Sequence, residues 1–453
     1  MNDGKINPFL TKYAEIAARQ NRIPAELYEQ YNVKRGLRNA DGTGVLVGLT
    51  EVGQVHGYIV DEGAKVPVPG VLRYRGIDIK DIVKGFQAEK RFGFEETAFL
   101  LLFGYLPMRQ DLADFEDRLG ELRILPDHFT EDMILKAPSD NIMNKLARSV
   151  LSLYSFDDDA ENIEVANVLK QSVQLISRFP SIVAYAFQAM NHYFNGASLF
   201  IHSPDPGKST AENFLKMIRE DQAYTQQEAE ILDLCLVLHA EHGGGNNSAF
   251  STHVVSSSGT DTYSAIAAAV GSLKGPLHGG AAIRVRTMMQ DIGSNVKDWA
   301  DEDEVAAYVR KILRKEAFDG SGLVYGMGHA VYTISDPRAE LLKERATELA
   351  ASAGKGDEYG LYTIVEKVTP GLFAEVTGKT KDLCANVDFY SGLVYSLLHI
   401  PMDLFTPLFA VGRIAGWCAH RVEEIVSGGR IIRPAYRSIT RQREYKPTDD
   451  RNY

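Results

Sequence analysis

The chain has 453 residues, 45% of them apolar and 24% charged, with a formal net charge of −11. That length exceeds what one small core supports, and no run approaches the roughly 18 to 20 apolar residues of a membrane helix. The acidic balance lacks the footprint of a nucleic-acid binder, and three widely spaced cysteines, Cys235, Cys384 and Cys418, suit neither a disulfide framework nor a zinc cluster.

In chain order, MNDGKINPFLTKYAEI lacks the layout of a secretory signal or transit peptide, so a cytoplasmic protein is expected. NPFLTKYAEIAARQN and PAELYEQYNV read as a helix or two, followed by the Gly-rich link NADGTG. GTGVLVGLTEVGQVHGYIV and VPGVLRYRGIDI are the convincing strand material, enough for a minor hairpin or ribbon, an ornament on the fold. Helical periodicity then takes over. FEETAFLLLFGYLP places Glu95 and Glu96 in a first turn, Gly104 at a C-terminal cap and Pro107 at the stop. Asn141 to Tyr154, Val165 to Ile176, Gln226 to His239, Asp261 to Leu273, Glu302 to Arg314 and Arg338 to Ala351 predict further helices. The expected class is mainly all-α. From Arg430 onward, Arg, Pro and Tyr replace apolar periodicity, which predicts an extended arm lying on a surface, its own or a partner subunit's.

Three histidines sit beside glycine in turn-like settings: His242 in LHAEHGGGNNSAF, His278 in GPLHGGA and His329 in YGMGHAVY. Glycine lets a ligand approach backbone, and a histidine at a helix boundary can move a proton near neutral pH; each alone reads first as a backbone-satisfied turn residue, and the three together weaken that reading. Asp388 in NVDFYSGLVY stands before a long apolar helix. Either it caps that helix, or Ser391 does, leaving Asp388 half-desolvated and more basic. Arg338, Arg413, Arg433 and Arg437 look placed. Arg413 lies in an apolar helical stretch, where it must either pair with Glu423 or Glu424 or clamp a carboxylate from outside. HGGG copies an esterase oxyanion motif, but no G-x-S-x-G accompanies it. HAEH spaces its histidines by three, not the four of a zinc helix, so no metal site is expected. GMGHAV lacks the third glycine of a dinucleotide fingerprint.

Taken in order, LHAEHGGGNNSAF, GPLHGGA, YGMGHAVY with DPRAE, NVDFYSGLVY and GRIAGWCAHRVEE with RIIRP resemble the citrate synthase and 2-methylcitrate synthase family, from about Leu72 to Pro434. The resemblance implies a large helical domain formed by residues 1–278, including an N-terminal helical extension, and by residues 388–453 with the C-terminal arm. A small mobile helical domain, residues 279–387, is inserted between them. It implies condensation of oxaloacetate with acetyl-CoA, followed by hydrolysis of citryl-CoA; propionyl-CoA is the alternative acyl donor. Citryl-CoA cleavage and a non-catalytic relative stand behind these. Asp388 is implied as the base, His278 as the partner of the thioester oxygen and His329 of the keto oxygen. His242, Arg338 and Arg413 would grip the carboxylates, and Arg433 would reach in from the other subunit of a homodimer. Val324, Tyr325, Gly326 and Gly328 are implied at the CoA adenine, with CoA as substrate and no tightly bound cofactor. Thr333 stands where the family usually offers Lys or Arg to a CoA phosphate. Arg75 is a candidate to replace that charge.

Overall fold

The computed structural model describes residues 8–39, 42–61, 64–379 and 382–451. The chain divides into two units, Met1–Leu49 and Thr50–Tyr453. The first holds helices Pro8–Gln20 and Glu26–Gln30, a 3-10 turn at Arg35–Leu37 and a bridge between Arg38 and Gly44. This matches the predicted helices and link, of which Ala40 and Asp41 lie outside the described residues.

The second unit is a helical body with one small sheet among its described residues, so the all-α expectation holds. Strands β1 (Gly53–Asp61), β2 (Ala64–Tyr74) and β3 (Ile77–Asp78) are antiparallel in the order β1-β2-β3. Residues 45–52, expected to be strand-like, are not strand, whereas β2 reaches back through Pro67 and Pro69. Those prolines are tolerated because β3 pairs only with Arg73 and Tyr74, leaving the rest of β2 an edge.

The ribbon is more than an ornament. A Cβ on Gly57 or Gly70 would come closer than 3.0 Å to the backbone oxygen of Val331 or Ser335 respectively, so these glycines let the ribbon lie directly on the segment after His329. Tyr332 Oη donates to Val71 O at 3.3 Å, and Gly70 N–H to Ser335 Oγ at 3.3 Å. Tyr74, buried, donates from Oη to Val237 O at 2.9 Å and so fastens the ribbon to the end of the helix Gln226–His239.

Helices form where caps and apolar stripes agree. Thr225 and Glu228 make a reciprocal capping box on Gln226–His239, Asp261 caps Thr262–Lys274, and Asn141 caps Ile142–Leu153. Phe94–Phe103 ends at Gly104 with φ 86°, the left-handed cap expected of that glycine. The run at Val165 does not stop near Ile176; it continues to Asn195 through Pro180. Its middle, from Phe179 to Met190, is buried throughout, so packing outweighs the local cost of the interior Pro180. Helices Ala281–Asn295, Glu302–Leu313, Pro337–Ser352 and Gly356–Thr377 occupy most of residues 279–387. The helix Val387–Leu397 packs on the first and third of them.

One contact fixes the centre. Helix Phe405–Val426 meets the end of Gln226–His239 through Gly412 and Gly416, where a Cβ would approach Leu236 O and Ala240 O closer than 3.0 Å. Gly416 N–H donates to Ala240 O at 3.2 Å. Gly416→Ala should therefore overpack the contact and destabilise the protein by about 1–3 kcal/mol. Urea unfolding would read this loss, and an unchanged midpoint would contradict it.

Candidate active site

The close approach at Gly412 carries Arg413 inward. Its Nε donates to His239 O at 2.5 Å and its guanidinium lies 4.7 Å from the centre of the Phe409 ring. Both Nη atoms are buried with no hydrogen-bond partner among the described residues. The internal ion pair weighed from sequence is absent: Glu423 accepts from Glu51 N–H and faces His420, while Glu424 contacts His253. Burial pulls the Arg413 pKa down to about 10, so the side chain remains a cation at neutral pH with two idle donors.

Arg338 is held differently. Asp336 caps the helix Pro337–Ser352 and binds Arg338 in a fork, Nε to Oδ1 at 3.0 Å and Nη2 to Oδ2 at 2.7 Å. Both residues are buried.

The three glycine-flanked histidines gather beside these cations. The His242 and His329 rings lie 5.1 Å apart, and His329 stacks on Tyr332 at 4.7 Å. His329 Nδ1 accepts from the N–H groups of Val331 at 3.0 Å and Tyr332 at 3.1 Å. A nitrogen that accepts twice from backbone carries no proton, so the neutral ring bears it on Nε2. Burial, then the charge of Arg338, pushes His242 well below its usual range. His242 is therefore neutral at pH 7, and its Nε2 has no hydrogen-bond partner among the described residues.

His278 occupies the turn between Thr262–Lys274 and Ala281–Asn295, as its Pro and Gly neighbours suggest. Thr406 Oγ1 donates to Gly279 O at 2.8 Å, and a Cβ on Gly279 would collide with Leu273 O. His278 Nε2 lies 3.0 Å from Ser248 Oγ, which also accepts from Trp417 Nε1 at 3.0 Å. Because the indole can only donate, the single Ser248 hydroxyl proton goes either to Asn246 Oδ1, at 2.8 Å, or to His278 Nε2. In the second arrangement the imidazole keeps its proton on Nδ1. Burial, then Arg413, lowers the His278 pKa to about 4, so the ring is neutral.

Asp388 is neither the cap nor freed by Ser391. Asn386 caps the helix Val387–Leu397, accepting from Asp388 N–H at 3.0 Å, and Ser391 lies buried within it. Desolvation raises the Asp388 pKa to about 6; Arg338 opposes the rise and Asp336 adds to it. Asn386 was not singled out from sequence, yet it joins two parts of the site. Its N–H donates to Gly326 O at 2.8 Å and its Nδ2 to Gly328 O at 2.9 Å. Gly326 and Gly328 have φ of 79° and 92°, and a Cβ on Gly326 would press on Phe389. The segment holding Val324, Tyr325, Gly326 and Gly328 is thereby tied to the start of the Asp388 helix. The asparagine before the aspartate in NVD was the available signal.

Other sequence candidates lie elsewhere. Arg433 and Arg437 are exposed on the extended C-terminal segment. Arg75 places Nε and Nη2 on Leu101 O, at 3.0 and 2.8 Å, and so closes the end of Phe94–Phe103. Thr333 Oγ1 is buried without a hydrogen-bond partner.

A family model described as citrate synthase, C-terminal domain, matches residues 40–435. The chain belongs to the citrate synthase family. It is 37% identical over 370 residues to a citrate synthase of Synechocystis sp., covering 81% of this chain and 84% of that one. It is also 32% identical over 368 residues to a 2-methylcitrate synthase of Shewanella oneidensis, covering 80% and 87%. The crystal structure of citrate synthase from Pyrobaculum aerophilum superposes with a TM-score of 0.72 at 28% identity, covering 90% of this chain and 94% of that one. A family expected from motifs is thus matched over most of the chain. No described helix is long and apolar enough to cross a membrane.

Asn386→Ala should cost at least the roughly 1 kcal/mol of a lost helix cap. Asn386→Asp keeps the cap acceptor and loses the bond to Gly328 O. If that bond holds the 324–329 segment, both variants should lower kcat/KM while only the alanine variant loses the cap energy in urea unfolding.

Proposed function

We propose that this chain is a citrate synthase that condenses acetyl-CoA with oxaloacetate and then hydrolyses the citryl-CoA formed. The observation that carries the reading is Arg413: a buried cation with both terminal nitrogens idle, in a site that also contains two neutral histidines and a carboxylate of raised pKa. Such a site suits an anionic substrate that must be bound, polarised and attacked by a carbon nucleophile.

In the proposed reaction Asp388 takes a proton from the thioester methyl group. The electron pair of that C–H bond moves into the carbon skeleton and charge gathers on the thioester oxygen. His278, with the Ser248 hydroxyl on its Nε2, donates from Nδ1 to that oxygen. Methyl groups of thioesters are weak acids, so base and donor must act together, each contributing about two to four powers of ten. The enol carbon attacks the keto carbon of oxaloacetate. His329 donates from Nε2 to the keto oxygen and protonates the alkoxide. His242, Arg338 and Arg413 hold the carboxylates, and water then cleaves the thioester. Val324, Tyr325, Gly326 and Gly328 border the CoA adenine in this reading.

Residues 279–387 act as a mobile domain that closes on oxaloacetate, with His278 at one boundary and Asp388 at the other. The protein works as a cytoplasmic homodimer in which Arg433 of one subunit completes the other's site; three free cysteines fit a reducing compartment. Similarity to the Shewanella enzyme supports propionyl-CoA as a second reading. One methylene in an apolar pocket is worth only about 1–3 kcal/mol. A kcat/KM for propionyl-CoA equal to or above that for acetyl-CoA would favour the second reading.

Asp388→Asn should lower thiol release at least about 10³-fold, while oxaloacetate still raises the melting temperature. Unchanged turnover would refute the base. The pH profile gives an independent check. Asp388 must be ionised and its pKa is raised to about 6, so kcat/KM should fall as pH drops through 6, with the slope of one proton. His278, lowered to about 4, should add no limb between pH 5 and 8.

A further inference from the structure

Beside the proposed carboxylate clamp lies a second cluster that the proposed reaction does not use. His420 and Glu423 are one turn apart on the helix Phe405–Val426, and His253 stands on Asn247–Ser256. His420 Nδ1 lies 3.1 Å from His253 Nε2 and 3.7 Å from Glu423 Oε2, and the three ligand atoms lie within 4.8 Å of one another. The outer nitrogens meet carboxylates: His420 Nε2 is 3.0 Å from Glu241 Oε1, and His253 Nδ1 is 2.8 Å from Glu424 Oε2.

Those outer contacts decide the tautomers. An ionised carboxylate only accepts, so each histidine spends a ring proton on its outer nitrogen. With both rings neutral, the two inner nitrogens are lone pairs facing each other at hydrogen-bond distance, an arrangement that either a proton or a metal ion between them relieves. Glu423 Oε2 is a third acceptor; it is buried without a hydrogen-bond partner, while Oε1 accepts from Glu51 N–H at 2.7 Å. No Lys or Arg forms an ion pair with Glu241, Glu423 or Glu424 among the described residues. Three acceptors therefore face one gap, with Glu241 and Glu424 behind the two rings, and a cation in the gap would satisfy all three.

We propose that His253, His420 and Glu423 bind a divalent transition-metal ion of the zinc or cobalt type. Ligand atoms about 2.0–2.1 Å from a tetrahedral ion lie about 3.3 Å apart; the His420–His253 and His420–Glu423 separations bracket that value, and the His253–Glu423 separation, within 4.8 Å, would close to it by a turn of the Glu423 side chain on binding. Two imidazoles and one carboxylate favour such an ion over magnesium or calcium, which take oxygen ligands. Histidines that bind metal usually donate the other ring nitrogen to a carboxylate, the arrangement present on both sides. The sequence argument against a metal concerned His239 and His242; it did not bear on residues brought together from two distant helices. The ion is structural: it joins Asn247–Ser256 to Phe405–Val426 and, through Glu241, to the residue before His242.

The competing occupant is a single proton shared by the imidazoles, which would make His420 cationic between Glu241 and Glu423. Chelator-treated full-length protein titrated with Co²⁺ at pH 7.5 separates the two. The proposal expects one Co²⁺ per chain with visible bands of a tetrahedral ion, displaced by one equivalent of Zn²⁺. His253→Gln should weaken binding at least 100-fold. Glu424→Gln, which alters only the outer carboxylate, should weaken it about 10–100-fold and serves if the first variant does not fold. Absence of stoichiometric binding would overturn the proposal in favour of the shared proton. Binding unchanged in the folded variants would overturn it in favour of ions held elsewhere.

Discussion

A guanidinium buried with two unused donors is among the least comfortable groups a protein interior can hold, and Arg413 is placed in that condition by backbone geometry. Gly412 and Gly416 bring Phe405–Val426 so close to Gln226–His239 that the arginine between them can reach His239 O. Transfer of such a charge from water costs several kcal/mol, and one hydrogen bond does not offset it. In the proposed reaction the remainder is recovered when a substrate carboxylate arrives. The same helices, the ribbon on Tyr74 and the fork at Asp336 hold the guanidinium where solvent cannot satisfy it first.

The field of that cation reaches its neighbours. His278 and His242 are lowered by burial first and by arginine charge next, so both are neutral at physiological pH. Asp388 feels the same charges with opposite sign, and desolvation still wins. One positive, dry environment thus separates the groups into neutral hydrogen-bonding imidazoles and a carboxylate of raised basicity, the division of roles that the proposed reaction uses. Environments that push titrations apart are how one fold supplies acid and base together.

Much of this was legible because its signals are local. Thr225 with Glu228, Asp261 and Asn141 are caps that a short window contains, and the corresponding helices begin where expected. His278 at a break between helices follows from the Pro and Gly around it. What escaped depends on partners far along the chain. Nothing local marks Gly57 and Gly70 within the strand material; their role shows only where the segment after His329 lies on them. Pro180 reads as a stop, and only the packing of Val165–Asn195 explains why the helix continues. Asn386 was not among the caps weighed from sequence, and besides capping its helix it donates to Gly326 O and Gly328 O. His253 and His420 are 167 residues apart and share no local pattern.

Charge counting gives the C-terminal arm its place in the proposed reaction. Oxaloacetate brings two carboxylates, while much of the Arg338 charge is already met by Asp336 in a bidentate pair. Among the described residues of this chain's site, both Nη atoms of Arg413 are without a hydrogen-bond partner, and His242, held neutral, contributes a hydrogen bond but no charge. A second cation is therefore wanted, and Arg75, bound to Leu101 O, is not free to supply it. Arg433 is exposed on an extended segment whose nearest anchor is the bond from Ile432 N–H to Ser257 Oγ, at 3.1 Å. An arginine in that position gains little for its own chain. In the proposed homodimer its use becomes intelligible: each arm would supply the charge that the other's carboxylate clamp lacks.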